Sequence, residues 1–430
     1  MNLSAYIAGR SLQNTHSTFT KWIVRIAIGG VAISMVVMIL ATSLIAGFKR
    51  EIKEKVFGFW GHIHVTDINA SDIMGAKPLK VSKELMDNIY EIKNISYENL
   101  SLRNSKSSLN PFQKKSTYGG VSHIQAVAHT AAIISTGTDI EGLILKGTGT
   151  DYNWEFFNKY LKEGKALESD DKNKILISSQ TANRLQLKVG DAVLLHFVKE
   201  TREIKRKLVV QGIFNTGLEE YDTKFALCPL SLIQDLLGWQ ENEAGGYEII
   251  LDDTRDIDII NDYLYEEVLP TDYYSETIIR KYPAIFEWLH LQKANENAIL
   301  FLLIVVAVLN MITALVVLIL ENTNLIGLLK ALGAKNWTIR KIFLYYSGRI
   351  IIFGLLFGNI IGIVLAFIQK YGHIIQLPEK DYYVSVAPID LNIFTLIMLN
   401  LLALAVILFF LIIPTVIVSR IRPVKALQFK

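Results

Sequence analysis

Four long uncharged stretches constrain the fold of this chain more than any other feature. They cover residues 26–48, 297–320, 350–369 and 391–419, and none contains Asp, Glu, Lys or Arg. An α-helix rises 1.5 Å per residue, so about 20 apolar residues cross a hydrocarbon layer of about 30 Å. Each stretch is long enough to do so. The sequence therefore predicts four transmembrane helices and excludes a soluble enzyme.

The region between the first two stretches has a different composition. Residues 49–297 contain 30 basic and 37 acidic side chains, in mixed patterns of alternating and helical hydrophobicity. That is enough chain to bury a core, and we expect two small subdomains. The predicted fold class is a four-helix membrane protein with a large α/β extracytoplasmic domain. The single cysteine, Cys228, excludes an intrachain disulfide.

Charge indicates how the chain is oriented. Outside residues 49–297 the net charge is +10, and the basic residues lie in short segments next to the spans. The positive-inside rule then places the N-terminus, 321–349 and the C-terminus in the cytoplasm. Short membrane-flanking segments of this kind do not indicate a nucleic-acid partner. One group opposes this topology, because it follows the first span on the outer side: Lys49, Arg50, Lys53 and Lys55.

These observations predict a complete domain organisation. The predicted segments are a cytoplasmic N-terminal segment (1–21), the first span (22–48), an outer domain (49–297), the second span (298–320), a cytoplasmic segment (321–349), the third span (350–369), a short outer loop (370–390), the fourth span (391–418) and a cytoplasmic tail (419–430). Helical spacing continues through 49–57 until Gly58 and Gly61, and it resumes after Pro283 through 284–297. We expect these two segments to be stalk helices outside the membrane.

The outer domain lacks the motifs of an enzyme. No phosphate-binding loop is present, and no Ser or Cys has a nucleophile motif around it. His62 and His64 share one face of a predicted strand but have no third ligand nearby. The acidic group Glu219, Glu220 and Asp222 has the composition of a solvated turn. We therefore predict no catalytic residue, no metal and no cofactor.

The cytoplasmic segment contains a short amphipathic helix. Asn324 is its predicted N-cap, an apolar stripe follows at helical spacing, and Gly333 ends it in a left-handed turn. The stripe needs either the lipid surface or a partner subunit to cover it, and the shortness of the helix favours a partner. The predicted ATPase-coupling residues are Glu321, Leu325, Ile326, Gly327, Leu328, Leu329, Lys330, Leu332 and Gly333.

Small and polar residues within the spans predict helix contacts. Gly354, Gly358 and Gly362 lie four residues apart on one face of the third span, a spacing typical of close helix packing. Polar side chains in the second and third spans are expected to form interhelical hydrogen bonds. They are Asn310, Thr313 and Asn359.

Four segments in order resemble the FtsX-like, MacB-type family of ABC transporter permeases, and within it the lipoprotein-releasing LolC/LolE group. They are Ala46–Val65 at the exit of the first span, Asn215–Asp222 in the outer domain, Ile326–Ala334 in the cytoplasmic segment and Pro423–Leu427 in the tail. The resemblance covers essentially the whole chain. It implies an outer domain with porter and Sabre subdomains, and an inner-membrane location.

The resemblance also implies a mechanism and partners. Two permease subunits, identical or related, would pair with a dimer of cytoplasmic ATPase subunits, whose closure passes through 321–335 and the stalk helices. Lipoprotein acyl chains would leave the membrane lipid through a cavity between the first two spans and pass to a periplasmic chaperone. Candidate cavity residues are Leu40, Leu44, Phe48, Phe301 and Val305. One departure is the short connection Val198–Lys207, where chaperone-recruiting relatives carry a long loop.

Two other functions fit the same architecture. A transporter-shaped regulator could act on a cell-wall hydrolase without moving a substrate, although such regulators have much smaller outer domains. An exporter of peptides or drugs is also compatible, because one fold serves many substrates.

Overall fold

The computed structural model describes residues 18–70, 77–80, 82–98, 114–137, 139–168, 171–199 and 202–420. The described chain divides into two compact units. The membrane unit contains the chain up to Glu51, Glu287–Leu377 and the chain from Val386. The outer unit contains Ile52–Phe286 and Pro378–Ser385.

Four apolar helices contribute to the membrane unit. Among the described residues, they are the helices long and apolar enough to cross a membrane. Their bounds are Thr18–Trp60 (α1), Pro283–Glu321 (α9), Asn336–Gly372 (α11) and Ile393–Leu411 (α13). Shorter elements follow or connect them: Thr323–Ala331 (α10), a 3-10 turn at Pro414–Val416 and Ile417–Arg420 (α14). Thus α1 continues past the predicted end at Phe57, and Gly58 lies inside it. Gly61, with a φ of 74°, follows it.

Polar side chains join the membrane helices. Asn359 of α11 and Asn400 of α13 exchange two amide hydrogen bonds of 2.7 and 2.9 Å, and Asn310 of α9 donates to the Ala27 carbonyl of α1 at 3.3 Å. The expected interhelical bonds of Asn310 and Asn359 are therefore confirmed. The expectation for Thr313 is wrong, because its hydroxyl donates to the Leu309 carbonyl of its own helix at 2.9 Å. Such back-bonding satisfies a hydroxyl without a neighbouring helix.

The outer unit has α/β architecture. Its strands are Ile63–Asp67 (β1), Leu79–Lys80 (β2), Ser96–Glu98 (β3), Lys114–Ser116 (β4), Val121–Ser135 (β5), Ile140–Thr148 (β6), Leu161–Gly164 (β7), Lys174–Ser178 (β8), Ala192–Lys199 (β9), Arg202–Phe214 (β10), Phe225–Pro229 (β11), Glu243–Ala244 (β12), Gly246–Leu251 (β13) and Tyr273–Thr277 (β14). Its helices are Lys83–Tyr90 (α2), Glu155–Tyr160 (α3), Ser179–Arg184 (α4), Glu219–Lys224 (α5), Leu230–Leu237 (α6), Ile257–Tyr263 (α7), Ile278–Lys281 (α8) and Glu379–Tyr382 (α12). A π-helical turn at Leu264–Val268 continues α7.

A single large sheet forms the centre of this unit. Among the described residues it has ten strands, in the order β14-β1-β13-β5-β6-β11-β8-β10-β7, and β9 pairs with both β10 and β5. Strands β5, β6, β11, β8, β10 and β9 therefore form a closed ring of pairings, which leaves no free edge within the ring. Strand β8 lies deep in the unit and is covered on both faces, because the consecutive residues Ile175, Leu176 and Ile177 are all fully buried.

The connection expected between the strands on either side of Val198–Lys207 differs in the structure. The connection predicted at Val198–Lys207 is largely strand, because β9 and β10 form a hairpin in which Lys199 pairs with Arg202. The backbone pairing runs without a break from the pair Ala192 and Val209 to the pair Lys199 and Arg202, and this charged stretch carries no alternating apolar pattern that would have indicated it. The polar stretch 99–120 is predicted from its sequence to be a hairpin or a loop; residues 99–113 lie outside the described residues, and Lys114–Ser116 pairs antiparallel with β3.

Candidate functional site

The cytoplasmic segment folds as a helix with one buried and one exposed side. Helix α10 begins at Thr323 and its N-cap is Asn322, so the predicted N-cap at Asn324 is wrong by two residues. The side-chain amide of Asn322 donates to the Leu318 carbonyl at 2.8 Å. Ile326 is fully buried, and Lys330 turns inward, where its ammonium donates to the Val418 carbonyl at 2.8 Å. Gly333, with a φ of 85°, follows the end of the helix.

The apolar stripe is exposed in part. Leu325 and Leu329 are half-buried, and Leu329 packs against the core of the membrane unit. By contrast, Leu328 is 50% exposed, Leu332 is 76% exposed and Trp337 at the start of α11 is 53% exposed. Of the other predicted coupling residues, Gly327 is buried, whereas Glu321 and Gly333 are exposed. Leu328, Leu332 and Trp337, which we call the docking face, are thus apolar side chains that the described residues leave exposed.

The candidate cavity residues lie on exposed or half-buried helix faces. On α9, Phe301 is 72% exposed and Val305 is 38% exposed. On α1, Leu40, Leu44 and Phe48 are half-buried. These faces are apolar and suit contact with lipid acyl chains.

The three glycines of α11 lie against α1. A Cβ at Gly354 would lie 2.7 Å from Val31 Cβ, and one at Gly358 would lie 2.7 Å from Met35 Cβ and 2.8 Å from the Ala32 carbonyl oxygen. At Gly362 the nearest atom would be Ile39 Cδ1, 3.0 Å away. Real Cβ atoms do not come this close to other atoms. Helices α1 and α11 can therefore pack at this distance only because these three positions of α11 are glycine.

This contact predicts a position-specific effect of alanine. Gly358→Ala should destabilise the membrane unit by about 1–3 kcal/mol, because the added methyl group overpacks the contact with α1. Gly348→Ala on the same helix is the matched control, since its nearest atom would be 3.9 Å away. Thermal unfolding in detergent measures both. Equal melting temperatures for the two variants would contradict the packing.

In the outer unit, the segment Asn215–Asp222 forms a tight loop around a buried carboxylate. Asp222 is fully buried and accepts hydrogen bonds from the Thr216 hydroxyl at 2.8 Å and from the backbone N–H groups of Thr216 and Gly217 at 3.2 and 2.9 Å. Burial raises the pKa of this carboxyl, and the hydrogen bonds oppose that rise. The solvated acidic turn predicted here is therefore wrong for Asp222, which holds the loop together from inside.

A buried ion pair lies at the end of α1. Lys146 of β6 and Glu248 of β13 are both fully buried, 2.8 Å apart, and Gln125 donates to the same carboxylate at 2.8 Å. The Lys146 ammonium also donates to the Phe59 carbonyl in the last turn of α1. A cation is favourable there, because the carbonyl end of a helix is negative. Desolvation lowers the pKa of Lys146 and raises that of Glu248.

The sequence offered one weak signal for this pair. Lys146 and Glu248 each interrupt a strongly apolar strand, in Leu143–Gly147 and in Tyr247–Leu251. A charge within such a strand is rare unless it is paired. Their pairing could not be inferred, since 102 residues separate them in the chain.

The two histidines near β1 have different partners. The His62 ring accepts from the Leu251 N–H at 2.7 Å, whereas His64 contacts the Trp60 carbonyl at 2.6 Å and the Lys281 ammonium at 3.1 Å. Burial lowers the pKa of His62 to about 4. Within the described part of the chain, no group of three or more His, Cys, Asp or Glu side chains is arranged to hold a metal ion.

The basic residues after the first span also have partners. Arg50 forms an ion pair of 2.8 Å with Asp390, and Lys49 lies 3.9 Å from Glu296 of α9, all within the membrane unit. Lys55 belongs to the outer unit and is 4% exposed. Two of the four charges that oppose the predicted topology, those of Lys49 and Arg50, therefore lie beside acidic side chains.

Comparison with known proteins identifies two regions of the chain. Residues 26–264 match the MacB-like periplasmic core domain, and residues 297–423 match the FtsX-like permease C-terminal region. The lipoprotein-releasing system transmembrane protein LolE of Haemophilus influenzae is 25% identical over 93% of this chain and 92% of its own length. The LolC protein of Neisseria meningitidis serogroup B is 22% identical over 100% of both chains.

Among solved structures, the extracellular domain of the ABC-type transporter YknZ from Gram-positive bacteria is similar at 11% identity, with a TM-score of 0.30 over 50% of this chain and 98% of that domain.

Proposed function

The chain belongs to the MacB-like periplasmic core domain family and carries the FtsX-like permease C-terminal region, and on that premise we propose that it releases lipoproteins from the inner membrane. Permeases of this family are subunits of ABC transporters. The observation that carries the substrate class is the similarity, along nearly the whole chain, to proteins named as lipoprotein-releasing system components.

The proposed mechanism uses a separate ATPase. The docking face (Leu328, Leu332 and Trp337) offers apolar side chains of the kind that fill a groove on a partner protein. ATP-driven closure of two ATPase subunits would move α10, and α11 follows α10 after a short turn. A second permease subunit, identical or related, would complete the transporter.

The outer unit would receive this movement through the long helices. Helices α1 and α9 are continuous over 43 and 39 residues, so each passes from the membrane unit into residues of the outer unit without a break. Acyl chains would leave the membrane between the apolar faces that contain Leu40, Leu44, Phe48, Phe301 and Val305. The released lipoprotein would pass to a periplasmic chaperone. In this topology both termini are cytoplasmic.

Depletion of the protein tests the proposed substrate. We expect lipoproteins to accumulate in the inner membrane as the protein disappears, and fractionation of inner and outer membranes measures this. Re-expression of the chain should restore their distribution. Correct lipoprotein sorting together with chaining cells would instead indicate a regulator of a cell-wall hydrolase, and drug sensitivity alone would indicate an exporter.

A further inference from the structure

Lys55 is a buried lysine on α1 with no role in the mechanism described so far. It is 4% exposed, although it belongs to a cluster of four basic residues that the sequence places just outside the membrane. A buried ammonium group loses its hydration, so it persists only where the fold supplies acceptors for it. The groups that surround the Lys55 ammonium therefore identify the segments that this side chain holds together.

Three separate segments of the outer unit meet at this ammonium group. Lys55 Nζ donates to the Tyr383 carbonyl at 2.7 Å and lies 5.3 Å from the centre of the Tyr160 ring. Tyr383 belongs to residues 378–385, which we call the strap. Gly217 of the Asn215–Asp222 loop is so close that a Cβ there would lie 2.8 Å from Nζ.

One further hydrogen bond joins the strap to the same loop, and the strap is itself partly buried. The Asn215 amide donates to Glu379 of the strap at 3.2 Å, and Val384 is 3% exposed. Tyr383 has a φ of 60°, a left-handed conformation that is uncommon for a bulky residue and persists where the surroundings fix it. Along the chain, the strap follows α11 and precedes α13.

We infer that Lys55 is a positioning residue that ties the strap and the Asn215–Asp222 loop to α1. Movement of α1 is thereby passed to the strap, which lies between α11 and α13 in the chain. This route adds to the movement that α1 and α9 transmit along their own length. The inference rests on the proposed function, because it assigns Lys55 a part in the same transport cycle.

Lys55→Met tests this role, because methionine keeps most of the apolar stem and removes the ammonium group. The strap is monitored through Val384→Cys, whose introduced thiol reacts with a maleimide only when the strap detaches. The native Cys228 is fully buried, so its background reaction is low. We expect Lys55→Met to increase the labelling rate roughly ten-fold, since a hydrogen bond from a charged donor is lost. ATP-dependent lipoprotein release should fall by a similar factor.

Two controls separate this role from general destabilisation. Lys53→Met removes a lysine from an exposed position on the same helix and should leave both measurements unchanged. Lys55→Arg keeps a cationic donor and should retain most of the release. If Lys55→Met fails to fold, Glu379→Ala removes a contact from the strap side and should raise labelling in the same direction.

The outcomes are distinct. Unchanged labelling in Lys55→Met would overturn the attachment of the strap, and faster labelling with normal release would overturn the positioning role. The labelling measurement needs no substrate. Loss of the proposed function would therefore appear separately, as absence of lipoprotein release by the wild-type protein.

Discussion

Leu332→Asp is expected to lower ATP-dependent lipoprotein release by roughly thirty-fold, because truncating or charging a central interface side chain costs about 2 kcal/mol or more. Leu332 is 76% exposed, so membrane insertion and thermal stability should not change. Release from proteoliposomes that contain the transporter and its ATPase measures the effect. The sequence pattern alone favours Leu329→Asp for this purpose. Leu329, however, packs against the core of the membrane unit, and its replacement would also disturb folding.

Asn324→Asp is the matched control for this variant. Asn324 is exposed on the same helix, and its replacement adds the same charge without removing an apolar side chain. Near-normal release is expected, because an acidic residue in the first turn of a helix is favourable. If α10 instead lies on lipid, Leu332→Asp would weaken its membrane contact and leave the stimulation of the ATPase intact. That result would contradict the coupling role of the docking face.

Glu248→Gln is expected to destabilise the outer unit by about 3–5 kcal/mol, because it leaves the Lys146 ammonium buried without its counter-charge. For a unit of this size, the melting temperature should fall by roughly 10 °C. Replacing both partners, in Lys146→Met with Glu248→Met, should recover most of the loss, since no buried charge then remains. Thermal unfolding of the full chain in detergent measures all three proteins.

An exposed pair supplies the comparison for Glu248→Gln. Glu220 forms an ion pair of 3.1 Å with Lys224, but its side chain is 64% exposed. Glu220→Gln should change the free energy of unfolding by less than about 1 kcal/mol, because solvent screens surface pairs. If Glu248→Gln and Glu220→Gln lowered the melting temperature equally, burial of the Lys146–Glu248 pair would add nothing to its contribution to stability.

The membrane part of the fold could be predicted because its signal is local. Twenty or more uncharged residues in a row specify a spanning helix without reference to any other part of the chain. The start of α9 at Pro283 follows from a local rule as well, since proline suits the first turn of a helix. The end of α1 at Trp60 does not, because Gly58 is tolerated inside a helix whose last turn is held by Lys146.

The outer unit was less predictable because its contacts join distant residues. The closed ring of strands depends on β9 pairing with both β10 and β5, which no local pattern specifies. The strap has the same difficulty, since Lys55 and Tyr383 lie 328 residues apart. Asp222 shows a related limit, because an acidic side chain in a polar segment has the same sequence pattern whether it faces solvent or caps a loop from inside.

The proposed function requires a topology in which the docking face is cytoplasmic and residues 52–286 are extracytoplasmic. The variants Tyr118→Cys and Lys335→Cys, each made together with Cys228→Ala, test it directly, since Tyr118 is 68% exposed in the outer unit and Lys335 is exposed after α10. With a membrane-impermeant maleimide on intact spheroplasts, the thiol at 118 should react at once and the thiol at 335 only after permeabilisation. Reaction of both thiols before permeabilisation, or of neither, would contradict the account.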